Sequence, residues 1–152
     1  AKNRMWYEKR FAKLSDKLIK ELNLNVIFID SANNDSIVQE IKSFMKEIPF
    51  IVTKNYDLKD RIAFISKCNI FISNDSGLMH VGAAQGCKTI GLFGPNTPVL
   101  WGPFGKGNIG LYKTKLLPSI ENDKAIFEDV NREEYMGAIS VDDVFNEVKK
   151  YT

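Results

Sequence analysis

The sequence predicts an α/β fold: a Rossmann-like parallel sheet with helices on both faces, in a single domain spanning residues 1–152. Three observations lead there. Short apolar runs recur at residues 26–29, 49–52 and 70–72, and 88–93 opens a further strand, as expected of strands buried on both faces. Segments with apolar residues at helical spacing separate them, and strands alternating with helices imply parallel pairing through crossovers. Finally, the run at 70–72 leads into Asn74-Asp75-Ser76-Gly77, a set of small polar residues that ends a strand and opens a helix.

Taken in order, residues 5–22 place Trp6, Phe11, Leu14, Leu18 and Leu22 at near-helical spacing among lysines. That is an amphipathic helix with a solvated basic face, which Asn23 or Asn25 can end. Residues 26–29 form a strand, 30–35 a polar turn, and the next helix turns Ile37, Val38, Ile41, Phe44 and Met45 inward. A strand at 49–52 and a helix over 58–67, with Ile62, Ala63 and Ile65 inward, repeat the unit. After the turn at 73–77, Gly82, Ala83, Ala84 and Gly86 make a thin helix that can lie close to its neighbours, with Gly86 as its cap. The strand at 88–93 follows. Gly94-Pro95-Asn96-Thr97-Pro98 and Trp101-Gly102-Pro103-Phe104-Gly105 then read as a loop without regular structure, at the same sheet edge as the 73–77 turn. Residues 113–134 lack periodicity and read as irregular, and Ser140 caps a closing helix that runs through 151.

Composition narrows the function classes. With 21 basic and 19 acidic residues interspersed, a net charge of +2 offers no basic stripe for nucleic acid. The two cysteines, Cys68 and Cys87, stand in apolar segments without CxxC spacing, which favours buried free thiols over a zinc or redox site. No apolar run approaches the roughly 20 residues that span a bilayer, and the start lacks a leader pattern, so the expected location is cytoplasmic. Peripheral contact of the whole protein with the inner face of the cytoplasmic membrane stays open.

The chemistry should sit at the turn. A helix beginning near Ser76 aims its unpaired N–H groups, from about Ser76, Gly77 and Leu78, out of the carboxyl edge of the sheet, where partial positive charge favours a phosphate. Gly77 has no side chain to obstruct that approach. The loop at 94–98 converges on the same crevice, which in an open α/β sheet is where ligands bind.

Asn74-Asp75-Ser76-Gly77-Leu78-Met79-His80, then Ala83-Ala84, then Gly91-Leu92-Phe93-Gly94-Pro95, with Gly102-Pro103-Phe104-Gly105 downstream, resemble glycosyltransferase family 9, the ADP-heptose:lipopolysaccharide heptosyltransferases. The family pattern there is Asp-Thr/Ser-Gly-Leu-x-His followed by a Gly-Pro-Thr-type loop. Trp6 with its helix, and Ile139-Ser140-Val141-Asp142-Asp143-Val144, match the two ends of the family's second domain, so the resemblance covers nearly the whole chain.

The resemblance implies one half of a GT-B architecture, in which an amino-terminal domain holds the acceptor and a carboxyl-terminal one the nucleotide sugar; this chain matches only the second. It implies an inverting, metal-independent transferase that moves heptose or a related sugar from an ADP-sugar to a lipopolysaccharide core acceptor, with no cofactor. Carried over by position, Asp75, Ser76, Gly77, Leu78 and His80 meet the donor's diphosphate and sugar, and Arg4 lies near the place of a family Lys that meets the phosphates. Asp35 falls where a family Glu binds the ribose hydroxyls, and Gly94 and Pro95 stand beside the nucleoside. Three residues depart from the pattern: Asp35 is one methylene shorter than Glu, Arg4 is a fork rather than a point charge, and Met79 replaces a small polar residue. The resemblance puts the base that deprotonates the acceptor in the amino-terminal domain, where the acceptor also binds, so this chain should bind donor without turning it over.

Plainer readings of the same residues exist. Asp75 and Ser76 could be a helix cap only. His80 could satisfy a buried hydrogen bond, and a Ser76/His80 hydrolase pair would need glycine where Asn74 stands. Asp75 with His80 lacks further ligands at metal-like spacing. Trp101 and Phe104 could stack on a base, pack on another domain or simply pack the loop. At the level of function, the alternatives are a nucleotide-binding or interaction module without catalysis and another nucleotide-sugar enzyme such as an epimerase.

Overall fold

The computed structural model describes residues 4–29, 35–52, 56–116 and 131–152, apart from the side chain of Asp35. The chain forms α1 (Glu8–Leu22), β1 (Ile27–Ile29), α2 (Asp35–Phe44), β2 (Phe50–Val52), α3 (Leu58–Ile65), β3 (Ile70–Asn74) and α4 (Gly77–Ala84). It continues with β4 (Lys88–Leu92), α5 (Pro98–Trp101), β5 (Ile109–Leu111), α6 (Arg132–Tyr135), a 3-10 turn (Met136–Ala138) and α7 (Val141–Lys149). All strand pairing among the described residues is parallel. The fold class is therefore the α/β arrangement expected from the alternation of strands and helices.

Its sheet is divided, however. β1 pairs with β2 in one sheet, and β3, β4 and β5 pair in that order in another. A cavity of about 1070 Å3 separates them, lined by Phe28 and Ile29 on one side, Ile70 and Ile72 on the other, and Leu14 and Ile41 from the helices. Among the described residues no ladder hydrogen bonds join the two halves, and the space between them is lined mainly by apolar side chains.

The main core covers one face of the three-stranded sheet. Ile90, Leu92 and Leu111 meet Leu14 and Leu18 from α1, Val144 and Val148 from α7, and Trp6, Met136 and Ile139 from the flanking segments. On the opposite face α4 packs so closely on β3 that a Cβ at Gly82 would stand 2.5 Å from the Phe71 ring. Gly91 similarly yields its space to Met79 and Phe93. Gly86 takes φ +83 just after α4, the left-handed conformation that lets a helix end and the chain turn into β4. Ser140 and Asp143 close a reciprocal capping box on α7, while Asn23 at φ 53 ends α1.

Several elements differ from the sequence expectation. α1 begins at Glu8 rather than residue 5, because Tyr7 is extended as its N-cap while Trp6 donates its backbone N–H to Asn74 Oδ1 at 2.9 Å and its indole N–H to the Ile139 carbonyl at 2.9 Å. Phe44 ends α2 exposed beneath the Lys9 ammonium, 5.2 Å from the ring centroid. α3 stops at Ile65 and buries Arg61 where Ala63 was expected to face inward; Ala63 is exposed. Pro98–Trp101, read as loop, forms one helical turn, since Thr97 Oγ1 accepts the Val99 N–H and proline fits the first turn. Arg132–Tyr135 is another such turn, capped by Asn131, within the stretch read as irregular; residues 117–130 of that stretch lie outside the described residues. β5 was not anticipated at all. No helix among the described residues is long and apolar enough to cross a membrane.

Candidate functional site

Parallel register brings two turns to one edge. Asn74, the last residue of β3, lies opposite Leu92, the last of β4, so residues 75–77 and 93–97 leave the sheet side by side. Their exits are tied. Asp75 N–H donates to the Leu92 carbonyl at 3.1 Å, and Phe93 N–H to the Leu111 carbonyl at 2.9 Å, which extends the ladder one step beyond each strand.

Asp75 is the hub of this edge. Its Oδ2 accepts from Arg4 Nη2 at 2.5 Å and from Asn96 Nδ2 at 2.5 Å, and its side chain is only 10% exposed. Three distant segments therefore meet on one carboxylate oxygen: the chain before α1, the β3–α4 turn and the β4–α5 loop. Asn74 adds a second tie, since its Oδ1 accepts the Trp6 N–H and holds residues 4–6 against the turn.

The helix start at the turn is open. Ser76 has the extended backbone of an N-cap, φ −154 and ψ 165, but its hydroxyl makes no cap hydrogen bond; it stands 3.0 Å from the Ser73 hydroxyl. Neither it nor Asp75, occupied by Arg4 and Asn96, caps α4, so a helix cap does not account for these two residues. The first N–H groups of α4 carry the partial positive charge of a helix N-terminus, beside the Arg4 guanidinium. A Cβ at Gly77 would meet nothing within 4 Å among the described residues, so no packing need among them requires this glycine. Arg4, Asn74, Asp75, Ser76, Gly77 and Leu78 line the mouth of the inter-sheet cavity.

The remaining sequence candidates fall as follows. Leu78 is half-buried, and His80 is exposed on α4, so it does not satisfy a buried hydrogen bond. Gly94 and Pro95 are buried, with the Gly94 Cα facing the Met136 sulfur; a Cβ there would come within 2.5 Å of it. Asp35 heads α2, but its side chain lies outside the described residues. Trp101 and Phe104 project from the neighbouring loop, 53% and 90% exposed. Two residues at the hub, Asn74 and Asn96, were not singled out from the sequence. Each sits inside a quoted motif, but nothing in spacing alone places residue 96 against residue 75.

No group of three or more His, Cys, Asp or Glu stands together as a metal site among the described residues. Burial pushes the Cys68 and Cys87 thiols up from their ordinary value, and Cys87 Sγ donates to the Ile65 carbonyl at 3.0 Å. Cys87 is buried as expected, whereas Cys68 is only half-buried; in both, the raised value disfavours the reactive thiolate.

Comparison with known proteins gives the site a context. A family model described as glycosyltransferase family 9 (heptosyltransferase) matches residues 1–127. Lipooligosaccharide heptosyltransferase 2 of Haemophilus influenzae is 30% identical over 97 residues, which is 61% of this chain and 28% of that protein. The crystal structure of a family 9 glycosyl transferase from Veillonella parvula superposes with a TM-score of 0.86 at 28% identity, covering 99% of this chain and 42% of that one. ADP-heptose lipopolysaccharide heptosyltransferase II of Escherichia coli shares the fold, with a TM-score of 0.81 at 22% identity over 98% of this chain and 42% of the other. This chain thus spans less than a third of the curated relative and about two fifths of the solved ones.

Proposed function

This chain belongs to glycosyltransferase family 9, and from that premise we propose that it is the donor-binding unit of an inverting, metal-independent heptosyltransferase. The donor is an ADP-linked heptose or a related sugar, and the acceptor a lipopolysaccharide core that binds through an amino-terminal domain. The protein works in the cytoplasm, at the inner face of the membrane where such acceptors are presented.

The observation that carries this reading is the uncapped start of α4 with the Arg4 guanidinium held beside it by Asp75. When the bond from the anomeric carbon to the diphosphate oxygen breaks, its electron pair passes to the leaving ADP. Negative charge then grows on the phosphates. Fixed N–H dipoles at Gly77 and Leu78 and a nearby cation stabilise that charge without reorganising, and such preorganised electrostatics are worth most in a partly enclosed crevice. Gly77 lets the phosphate approach the backbone. On this reading His80, exposed four residues beyond Ser76, donates to a phosphate oxygen or a sugar hydroxyl. The acceptor's attacking hydroxyl must lose a proton on the opposite face of the sugar; that base belongs to the amino-terminal domain, so this chain alone binds donor and does not turn over.

A calorimetric titration of the chain with ADP, ADP-heptose and UDP-sugars tests the reading. ADP and ADP-heptose should bind, UDP-sugars more weakly, and Asp75→Ala should lose affinity. No binding of any nucleotide at about millimolar concentration, where even a binding free energy of only about 4 kcal/mol would register, would sink it.

A further inference from the structure

We propose that the crossover from β4 to β5, residues 98–107, is a membrane-docking surface whose occupant is an anionic lipid bilayer. The inference rests on the reading above only for the presence of a membrane-borne acceptor, and its test uses no nucleotide.

Four large apolar side chains stand together on this crossover with little cover: Val99 is 89% exposed, Leu100 65%, Trp101 53% and Phe104 90%. Single exposed apolar residues are ordinary, but a cluster this dense in sequence is the kind of patch that marks an interaction site. The exposure is built in. Pro98 seats on β5 so closely that a Cβ at Gly110 would stand 2.2 Å from the Pro98 Cβ, and a Cβ at Gly102 would stand 2.4 Å from the Pro98 carbonyl oxygen. Gly102 N–H donates to that carbonyl at 2.8 Å, and Pro103 is buried. Asn108 Nδ2 donates to the Phe104 carbonyl at 2.5 Å, while Asn108 Oδ1 accepts the Thr89 N–H at 2.9 Å. The backbone between the exposed side chains is thus fixed to β4 and β5, and the fold holds these apolar groups outward.

Its place in the fold separates the patch from the ligand crevice. Gly91 and Gly110 are register partners, and both yield space to the Phe93 ring on the face where Met79 of α4 packs. Pro98 meets Gly110 midway along β5, so the crossover lies over that sheet face and not outside the carboxyl ends, where a ligand enters.

Charge identifies the occupant. From Ser76 to Ile120 the sequence holds four lysines and no Asp or Glu. Lys106 is exposed two residues after Phe104, and the Lys88 ammonium reaches the Gly107 backbone, so two cations flank the aromatic end of the patch. The end of α7 meets the same turn through the Tyr151 hydroxyl, which donates to the Gly107 carbonyl at 2.7 Å; the carboxylate of its last turn, Glu147, is already paired with Lys150. Tryptophan and phenylalanine with lysines beside them suit the boundary of a bilayer, with rings at headgroup level and ammonium groups on lipid phosphates. A second copy of this chain, in a two-fold contact, would instead bring the same cations to the patch with no acids to meet them.

The experiment is co-sedimentation of the chain with vesicles, read alongside tryptophan emission. Vesicles of phosphatidylglycerol and phosphatidylethanolamine in about equal amounts should bind the chain, phosphatidylcholine vesicles about tenfold less, and raised salt should release it. Binding should shift the emission to the blue through Trp101 alone, since Trp6 is already fully buried. Trp101→Phe should therefore keep most of the binding and lose the shift. Leu100→Ser with Phe104→Ser should lower the partition by about tenfold or more, and so, separately, should Lys88→Gln with Lys106→Gln. Because all four side chains are exposed, the urea midpoint of either double variant should match the parent's. No binding to the anionic vesicles, equal binding to phosphatidylcholine, or binding that survives both double variants would each overturn the inference. So would self-association of the free chain in place of vesicle binding, abolished by Leu100→Ser with Phe104→Ser, which would assign the patch to a second copy. All of these outcomes leave the donor-binding reading intact, since the nucleotide titration tests it separately.

Discussion

The half of the molecule built on β3, β4 and β5 is packed to contact, whereas the half built on β1 and β2 is open. In the first, Ile90, Leu92 and Phe93 are fully buried, and Gly82 and Gly91 have no room for even a Cβ. In the second, Phe50 is 75% and Ile48 91% exposed, and the inner edge of β1 borders the cavity. The division matters because every tie in the Asp75 hub belongs to, or is braced by, the packed half: Asn74 by β3, Asn96 by β4, Arg4 through Trp6. A site that stabilises developing charge must not reorganise during the reaction, so its anchors stand where side chains cannot shift. Asp35, the nucleoside-side candidate, instead begins a helix of the open half.

Truncating one buried aliphatic residue in each half gives the largest expected contrast. Leu92 lies between β3 and β5 with no exposure, and it does not line the inter-sheet cavity. Leu92→Ala should therefore lose about 3–5 kcal/mol in urea unfolding, the upper part of the range for such truncations. Ile41 is equally well buried at 5% exposure, but it already borders the inter-sheet cavity. Ile41→Ala enlarges an existing void rather than creating one, so its loss should stay near 2 kcal/mol, the lower end of the same range. Equal losses would erase the distinction between the halves.

A smaller effect tests how tightly α4 is seated. Adding a methyl at Gly82 forces the Phe71 ring away, yet alanine also favours the helix by up to about 1 kcal/mol over glycine. Overpacking usually costs about 1–3 kcal/mol, so Gly82→Ala should be destabilising by about 1 kcal/mol net. At Gly77, where a Cβ meets nothing, the same substitution should leave the unfolding midpoint unchanged or raised. If both variants unfold alike, the close seating of α4 on β3 is wrong.

The contrast between halves also explains what was legible in the sequence. Runs such as Ile70-Phe71-Ile72 announce strands because parallel strands are apolar on both faces, and the glycines of α4 announce close packing because only a missing side chain permits it. β5 escaped notice because its centre is Gly110, whose Cα yields to Phe93 and Pro98, so the strand carries only two apolar residues. Pro98–Trp101 read as loop because a proline looks like a breaker until Thr97 is seen to cap it. The cavity could not be foreseen, since periodicity says which residues turn inward but not whether two strand edges meet. At the site, the turn itself was plain, but the pairing of Asp75 with residues 71 positions earlier and 21 later was not. Local pattern reports elements; only the fold reports which loops share an oxygen.

The smallest effect concerns the cap of α7, which helps close the packed half. Burial pushes the Asp143 carboxyl upward, but hydrogen bonds from the Ser140 hydroxyl and N–H, with the Lys113 ammonium at 3.1 Å, together outweigh it and hold the group below its ordinary value. A carboxyl depressed in the folded state binds protons more readily in the unfolded chain. Its contribution is therefore complete above the unfolded value of about 4 and disappears as pH falls through the lower folded value. The carboxylate is partly solvated, so the contribution should be below about 1 kcal/mol. Asp143→Asn removes the titration while leaving an amide that can still accept from Ser140. Urea midpoints of the parent and this variant should differ at pH 6 and converge as pH drops below about 4. A gap that stays constant across that window would assign the cap's strength to hydrogen-bond geometry alone, and the charge on Asp143 would have no part in fixing α7 to the sheet.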